Sequence, residues 1–296
     1  MPQFVPYVYL ISAVVLMSIL SLLGTGYNRK NANRENTTVL YNLLLCASAC
    51  VTWGVIYAFD FSFDAKALLY SLGFGACYAI VMITLIKALS LGPTSLTALM
   101  QQLSLIGATV WGFVFWNSWD AKKAPIVISG LVLVIISLIL CLYSSKKSEG
   151  KVSWKWLGYA ILMFIANAGC SIFQKSEQIV FNGKHGSMFM FFSVLFATLI
   201  CLISFLISKK PNVKETVKRA WFFPLGAGIS SALGNMFVVL LATTTLSPNL
   251  IYPTIAVGGL AITSIASAFL FKEKLAWWQW IGVAVGAIAV AILSIS

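Results

Sequence analysis

The polar residues able to bind a solute fall at helical spacing inside apolar runs. Thr94, Thr97, Gln101, Ser104, Ala108 and Trp111 recur three or four positions apart, which places them on one face of a helix. Asn167, Ser171, Gln174 and Gln178 repeat the pattern, as do Ser231 with Asn235, and Asn42 with Cys46 and Trp53. Thr243, Thr244, Asn249 and Tyr252 gather further along. Amides and hydroxyls both donate and accept hydrogen bonds without carrying charge, so they suit the wall of a neutral polar cavity. Its solute is expected to be neutral, zwitterionic or anionic, with a cation held on aromatic faces the remaining case. In hydrocarbon an unsatisfied amide costs several kcal/mol, and polar residues there face the protein interior or a wet cavity. Two roles therefore stay open for each amide: lining a cavity, or joining helices by hydrogen bonds worth about 0.6–2 kcal/mol.

Gln101 is assigned to a cavity wall because its stripe runs nearly the length of its helix, with Thr97, Ser104 and Trp111 beside it. Asn42, Trp53, Asn167, Ser171, Asn235 and Tyr252 complete the neutral set. Gln102, about 100° round the helix, is assigned to interhelical bonding. Lys87 lies one turn from the end of its span. Its stem can snorkel to the surface, or its ammonium can meet a substrate carboxylate or phosphate. Lys175 is expected at the surface, with Glu177 beside it at a span end.

Other chemistries lack their residues. Cys46 and Cys50 share a helix face, but no histidine or carboxylate completes a metal set, and the cysteines all lie in apolar runs where they act as small hydrophobes. His185, the only histidine, sits in a Gly-Lys-His-Gly loop and is expected to be solvated. No span carries an acid at its centre, so the carrier is expected to work without proton coupling through a buried carboxylate. No nucleophile with its base and no paired carboxylates appear in the spans. The chain is therefore not read as an enzyme, and no cofactor is expected.

These residues need membrane helices to position them. The 296-residue chain is 60% hydrophobic and 9% charged, with a mean hydropathy of +0.92, against roughly a quarter charged in soluble domains. Runs of about 20 apolar residues, each enough to cross a bilayer, recur near 4–24, 37–58, 66–88, 93–116, 124–143, 153–176, 187–208, 221–243, 247–271 and 276–295. The expectation is an all-α polytopic membrane protein of ten transmembrane helices. The first run lacks the basic start and small-residue cleavage site of a signal peptide and is read as a retained span. The net charge of +12 is not a nucleic-acid patch, since its lysines and arginines are divided among short loops. They favour the odd-numbered loops, which the positive-inside rule assigns to the cytoplasm. Both termini are then expected outside a plasma membrane.

The two halves of the chain echo one another. LGFG (72–75) and LGAG (225–228) open the third and eighth spans, which end in KALS (87–90) and TTLS (244–247). Gln101-Gln102-Leu103 falls opposite Gly258-Gly259-Leu260, and ISGLVLVIISLIL (128–140) opposite WIGVAVGAIAVAIL (280–293). With five spans per half, the second half enters the bilayer from the other side. This predicts two inverted repeats, 1–144 and 153–296, joined by a basic linker at 145–152, the architecture of alternating access. Gly282 and Gly286 form a small-xxx-small step. It is assigned to packing within the chain, and a monomer is expected in preference to a dimer.

The span order, and the segment FKEKLAWWQWIGVAVGAIAVAILS (271–294) with Glu273, Gln279 and Gly282, resemble the EamA-like branch of the drug/metabolite transporter superfamily. The first half departs from this motif, with Asp120 displaced by one position and Val127 in place of the glutamine. The resemblance implies a secondary transporter of a small polar or amphiphilic metabolite, working by alternating access through a central cavity between the two repeats, with the fifth and tenth spans peripheral. The alternative on the same fold is a flippase for lipids or lipid-linked precursors. The expected partners are a small-molecule substrate and the lipid bilayer.

Overall fold

The computed structural model describes residues 4–31, 37–91, 100–101, 103–104, 107, 111, 124–142, 153–208, 213–244, 246, 248–270 and 277–293. Among these residues there are ten helices and no strand: α1 (Val5–Lys30), α2 (Thr37–Phe59), α3 (Ala65–Leu91), α4 (Ala124–Leu142), α5 (Trp154–Phe181), α6 (Gly186–Ile207), α7 (Val213–Ala220), α8 (Phe222–Ala242), α9 (Pro248–Leu270) and α10 (Trp277–Leu293). Residues 100, 101, 103, 104, 107 and 111 are helical too. The rest of the expected span 93–116, with Thr94 and Thr97, lies outside the described residues, as does Glu273.

Among the described residues, six helices contain stretches long and apolar enough to cross a membrane: Val5–Tyr27, Thr37–Phe59, Ala65–Leu85, Trp154–Phe181, Gly186–Ile207 and Phe222–Leu241. Shorter apolar helices cover Ala124–Leu140, Leu250–Thr263 and Trp280–Leu293. The protein is a multi-pass membrane protein. Lipid solvates apolar side chains as well as a protein core does, so close backbone approach and interhelical hydrogen bonds must hold such helices together.

Two ends differ from the sequence reading. The span expected at 153–176 continues to Phe181, because a backbone turn, and not the first charged residue, ends the helix. The basic stretch after Ile207, read as loop, contains the short helix α7. Glu215 in its first turn and Lys218 and Arg219 in its last each complement the helix dipole, and Thr216 and Ala220 are its buried face.

The chain divides into two compact units, each drawing on both halves of the sequence. One comprises Ile11–Ala79 and Phe173–Thr243. Here α2 packs on α6 and on α8, around Tyr27, Tyr41, Leu45, Cys46, Cys201, Ala220 and Ala227. Gly54 of α2 lies against Phe191 near the start of α6, and Cys46 against Cys201 near its end, so these two helices run antiparallel. Two glycines set the close approaches. A Cβ on Gly75 would stand 2.8 Å from the Ser193 carbonyl oxygen of α6, and one on Gly228 would run into Leu45 O and Ser48 Oγ of α2. The serines at these crossings act alike. Ser193 Oγ donates to its own helix at Phe189 O (2.6 Å) and to Ser71 O of α3 (3.2 Å), and Ser48 Oγ donates to Leu45 O (3.0 Å) and to Pro224 O of α8 (3.5 Å).

The α3 start in this unit is capped from the preceding loop. Asp64 Oδ1 accepts the backbone N–H groups of Lys66 (2.7 Å) and Ala67 (3.0 Å), satisfying donors that the first turn of a helix leaves open. These hydrogen bonds, that of Ala67 foremost, hold the Asp64 carboxyl below its usual range.

The other unit comprises Met1–Leu10, Ile80–Ile172 and Thr244–Ser296. Its helices α4, α9 and α10 enclose Val127, Leu131, Val134, Leu138, Leu250, Val257, Leu260, Ala289 and Leu293. Gly130 meets Leu293, while Ser137 Oγ donates to Gly282 O at 2.7 Å. As positions rise along α4 their partners fall along α10, so this pair is antiparallel too. Gly286 faces Ser137 and Val257, so the small-residue step lies against neighbours in its own chain. Ile128, Val132 and Ile139 of α4 and Trp277 and Ile288 of α10 are exposed.

Candidate functional site

Five of the candidate residues meet in the second of these units. Asn167 of α5 donates from Nδ2 to Ser104 Oγ (2.6 Å) and to Gln101 O (3.3 Å). One helical turn on, Ser171 O accepts the Tyr252 hydroxyl of α9 at 3.4 Å. Ala168, between them in sequence, packs on Gly107, which brings the two backbones close enough for these bonds. Ser104, Ser171 and Tyr252 are buried, and Gln101 and Asn167 are half-buried. The Gln101 group bonded to Asn167 is its backbone carbonyl, a contact that side-chain periodicity does not reveal.

Near Tyr252, α9 contains Pro253, which has no N–H for the carbonyl four residues back. The buried Thr254 Oγ1 has no hydrogen-bond partner. Among the described residues this cluster therefore offers a hydroxyl and a half-buried amide and includes no charged group, the chemistry that hydrogen-bonds a neutral hydroxylated molecule. Trp111 is 38% exposed and Lys87 is exposed. Thr97 lies outside the described residues.

The remaining candidates belong to the other unit. Asn42 and Trp53 are buried on α2, and Trp53 Nε1 has no hydrogen-bond partner. Asn235 Nδ2 donates to Ser231 O on its own helix at 2.9 Å. Cys46, between Asn42 and Trp53 on the expected stripe, faces Cys201 and not a cavity. His185 is half-buried, and its Nδ1 lies 3.0 Å from Ser62 Oγ.

Two expectations are corrected here. Lys175, expected at the surface, is 7% exposed, and Glu177, expected at a span end, has no exposed surface. Lys175 falls in the last turn of the expected span and Glu177 just beyond it, and the helix runs on to Phe181, so packing encloses both. Among the described residues no group of three His, Cys, Asp or Glu side chains could hold a metal, and the described cysteines are free thiols.

The arrangement is that of a polytopic helical membrane protein with a neutral polar cluster between its helices. No protein-family model matches the chain. It is 20% identical over 233 residues to the putative ribose uptake protein RbsU of Latilactobacillus sakei subsp. sakei (strain 23K), covering 77% of this chain and 78% of that one. A crystal structure of another protein superposes with a TM-score of 0.76 at 12% identity, covering 98% of this chain and 96% of that one. That likeness establishes the fold.

Proposed function

We propose that this protein is a secondary transporter of a small, neutral, hydroxylated solute, with a pentose as the first substrate to test. The similarity to the ribose uptake protein, extending over most of both chains, carries this reading. The polar cluster of Ser104, Asn167 and Tyr252 with the Gln101 and Ser171 carbonyls supports it, since hydroxyl, amide and carbonyl groups match the hydroxyls of a sugar while a charged substrate would call for an opposite charge.

The mechanism proposed is alternating access between two inverted five-helix repeats, as in the drug/metabolite transporters that the sequence resembles. Supporting it, Gly75 closes on α6 while Gly228, its counterpart in the second half, closes on α2. Helices α4 and α10, also counterparts, pack antiparallel. An inverted duplication generates such reciprocal and antiparallel pairs. The working form is proposed to be a monomer with both termini outside.

Counterflow of radiolabelled D-ribose in proteoliposomes tests the function. Exchange above protein-free vesicles, inhibited by unlabelled pentose, is the expected result. Ribose-independent movement of a labelled lipid headgroup, without sugar exchange, would replace the proposal with a flippase.

A further inference from the structure

We infer that Glu177 carries the proton to which solute movement is coupled; the inference rests on the transport reading above. The side chain belongs to α5 and has no exposed surface, yet its Oε1 lacks a hydrogen-bond partner. Oε2 accepts the amide of Gln178, itself 2% exposed, whose own Oε1 is also unpartnered. A carboxylate left this way in a membrane protein is expensive and marks function.

The site is built by a backbone turn. Asn182 and Gly183 adopt positive φ values of 51° and 74°, and the Gly183 N–H returns to Gln178 O at 3.1 Å, a Schellman-type end to α5. This folds the chain back over Gln178. A Cβ on Gly186 would stand 3.0 Å from its Nε2, and one on Gly183 would stand 2.6 Å from Cγ2 of Thr243, just past the end of α8. The turn thus seals the end of α5 against water.

A nearby positive side chain does not explain the acid. Lys175 precedes it by two positions, about 200° round the helix, so the two leave α5 on opposite faces. Among the described residues, the other ionisable groups around this end of the unit are Lys184 and His185 in the turn, Tyr57 on α2, Asp60 and Asp64 before α3, and Lys66 and Tyr70 on α3. His185 is engaged with Ser62, and Asp60 Oδ2 accepts the Ser187 hydroxyl at 2.8 Å. Helix α8 has no ionisable residue, and α6 has only Cys201, near its far end.

A proton satisfies what remains. It converts the carboxylate to a neutral acid, the usual response of a carboxyl taken out of water. An alkali cation would need a larger shell of oxygens than the two unpartnered ones here. In the step itself, a carboxylate oxygen opened to water forms an O–H bond with a proton from hydronium, leaving water. Closure of the turn buries the neutral acid, and reopening returns the proton. Buried and protonated, or open and ionised, are thus linked states.

The test uses proteoliposomes containing the full chain and labelled D-ribose. Wild type is expected to exchange ribose without a gradient and to accumulate it up an imposed pH gradient, towards tenfold per pH unit for one proton per solute. Glu177→Gln should keep the exchange and lose the accumulation, and Glu177→Asp should restore part of it. Accumulation by Glu177→Gln equal to wild type, or drive by a sodium gradient alone, would overturn the inference. Should ribose not exchange at all, the transport reading fails for ribose, and infrared spectroscopy still decides this residue. A protonated-carboxyl band at neutral pH that disappears in Glu177→Gln supports it, and a spectrum without that band overturns it.

Discussion

Cys46 of α2 and Cys201 of α6 hold their sulfurs 3.9 Å apart, although 155 positions separate them in sequence. A thiol-oxidising catalyst should therefore join them with little backbone movement. Alkylation under denaturing conditions, followed by mass spectrometry, should show two fewer free thiols after oxidation. The loss should disappear in Cys46→Ala and in Cys201→Ala. An unchanged thiol count in the oxidised wild type would place α2 and α6 elsewhere.

Gly228→Ala should destabilise the protein, because the new methyl meets the backbone of α2 and helices cannot yield there as a flexible side chain can. Overpacking of this kind costs about 1–3 kcal/mol, read as a lower detergent melting temperature or lower yield. Gly158→Ala is the matched control. Nothing lies within 4 Å of the Cβ it would add, so the substitution should instead favour helix by roughly 0.5–1 kcal/mol. Equal effects at both positions would contradict the close α2–α8 contact.

The Asn167–Ser104 bond separates adhesion from recognition. Asn167→Ala and Ser104→Ala should couple in a double-mutant cycle of stability by about 0.6–2 kcal/mol, as interhelical hydrogen bonds in membranes do. If the cluster also binds the solute, ribose exchange should fall further than stability does. Stability coupling with undiminished exchange would assign the pair to helix adhesion alone.

Asp64 makes one helix start acid-sensitive. Its folded carboxyl ionises below its usual range, so its contribution is present above the unfolded aspartate value of about 3.9 and lost as pH falls through the lower folded value. The melting temperature of wild type should exceed that of Asp64→Asn at neutral pH, and the gap should close on strong acidification. A gap that persists there would mean the capping bonds do not depend on ionisation.

Apolar length and helical periodicity locate the helices well: the run 37–58 becomes Thr37–Phe59, and 221–243 becomes Phe222–Ala242. The shared faces of Gln101 with Ser104 and of Asn167 with Ser171 were legible for the same reason. The end of α5 was not. Lys175 and Glu177 look like the edge of a membrane span to any reading of hydropathy, whereas the helix stops only where Asn182 and Gly183 can take a left-handed turn. Their burial comes from packing around that end of the helix, which no local pattern encodes. Helix α7 was hidden in the same way, since its charged residues read as loop although their order suits a helix dipole. The pairing of Cys46 with Cys201 is set by the fold alone.

The packing of α2 on α6 and α8 also bears on how the chain is made. Ribosomes add about 5–20 residues per second, so the 155 positions between Cys46 and Cys201 take about 8 to 30 s to synthesise. Helix α2 is therefore made well before the α6 and α8 helices against which it finally packs. Synthesis of the first half and completion of its packing are thus separated in time.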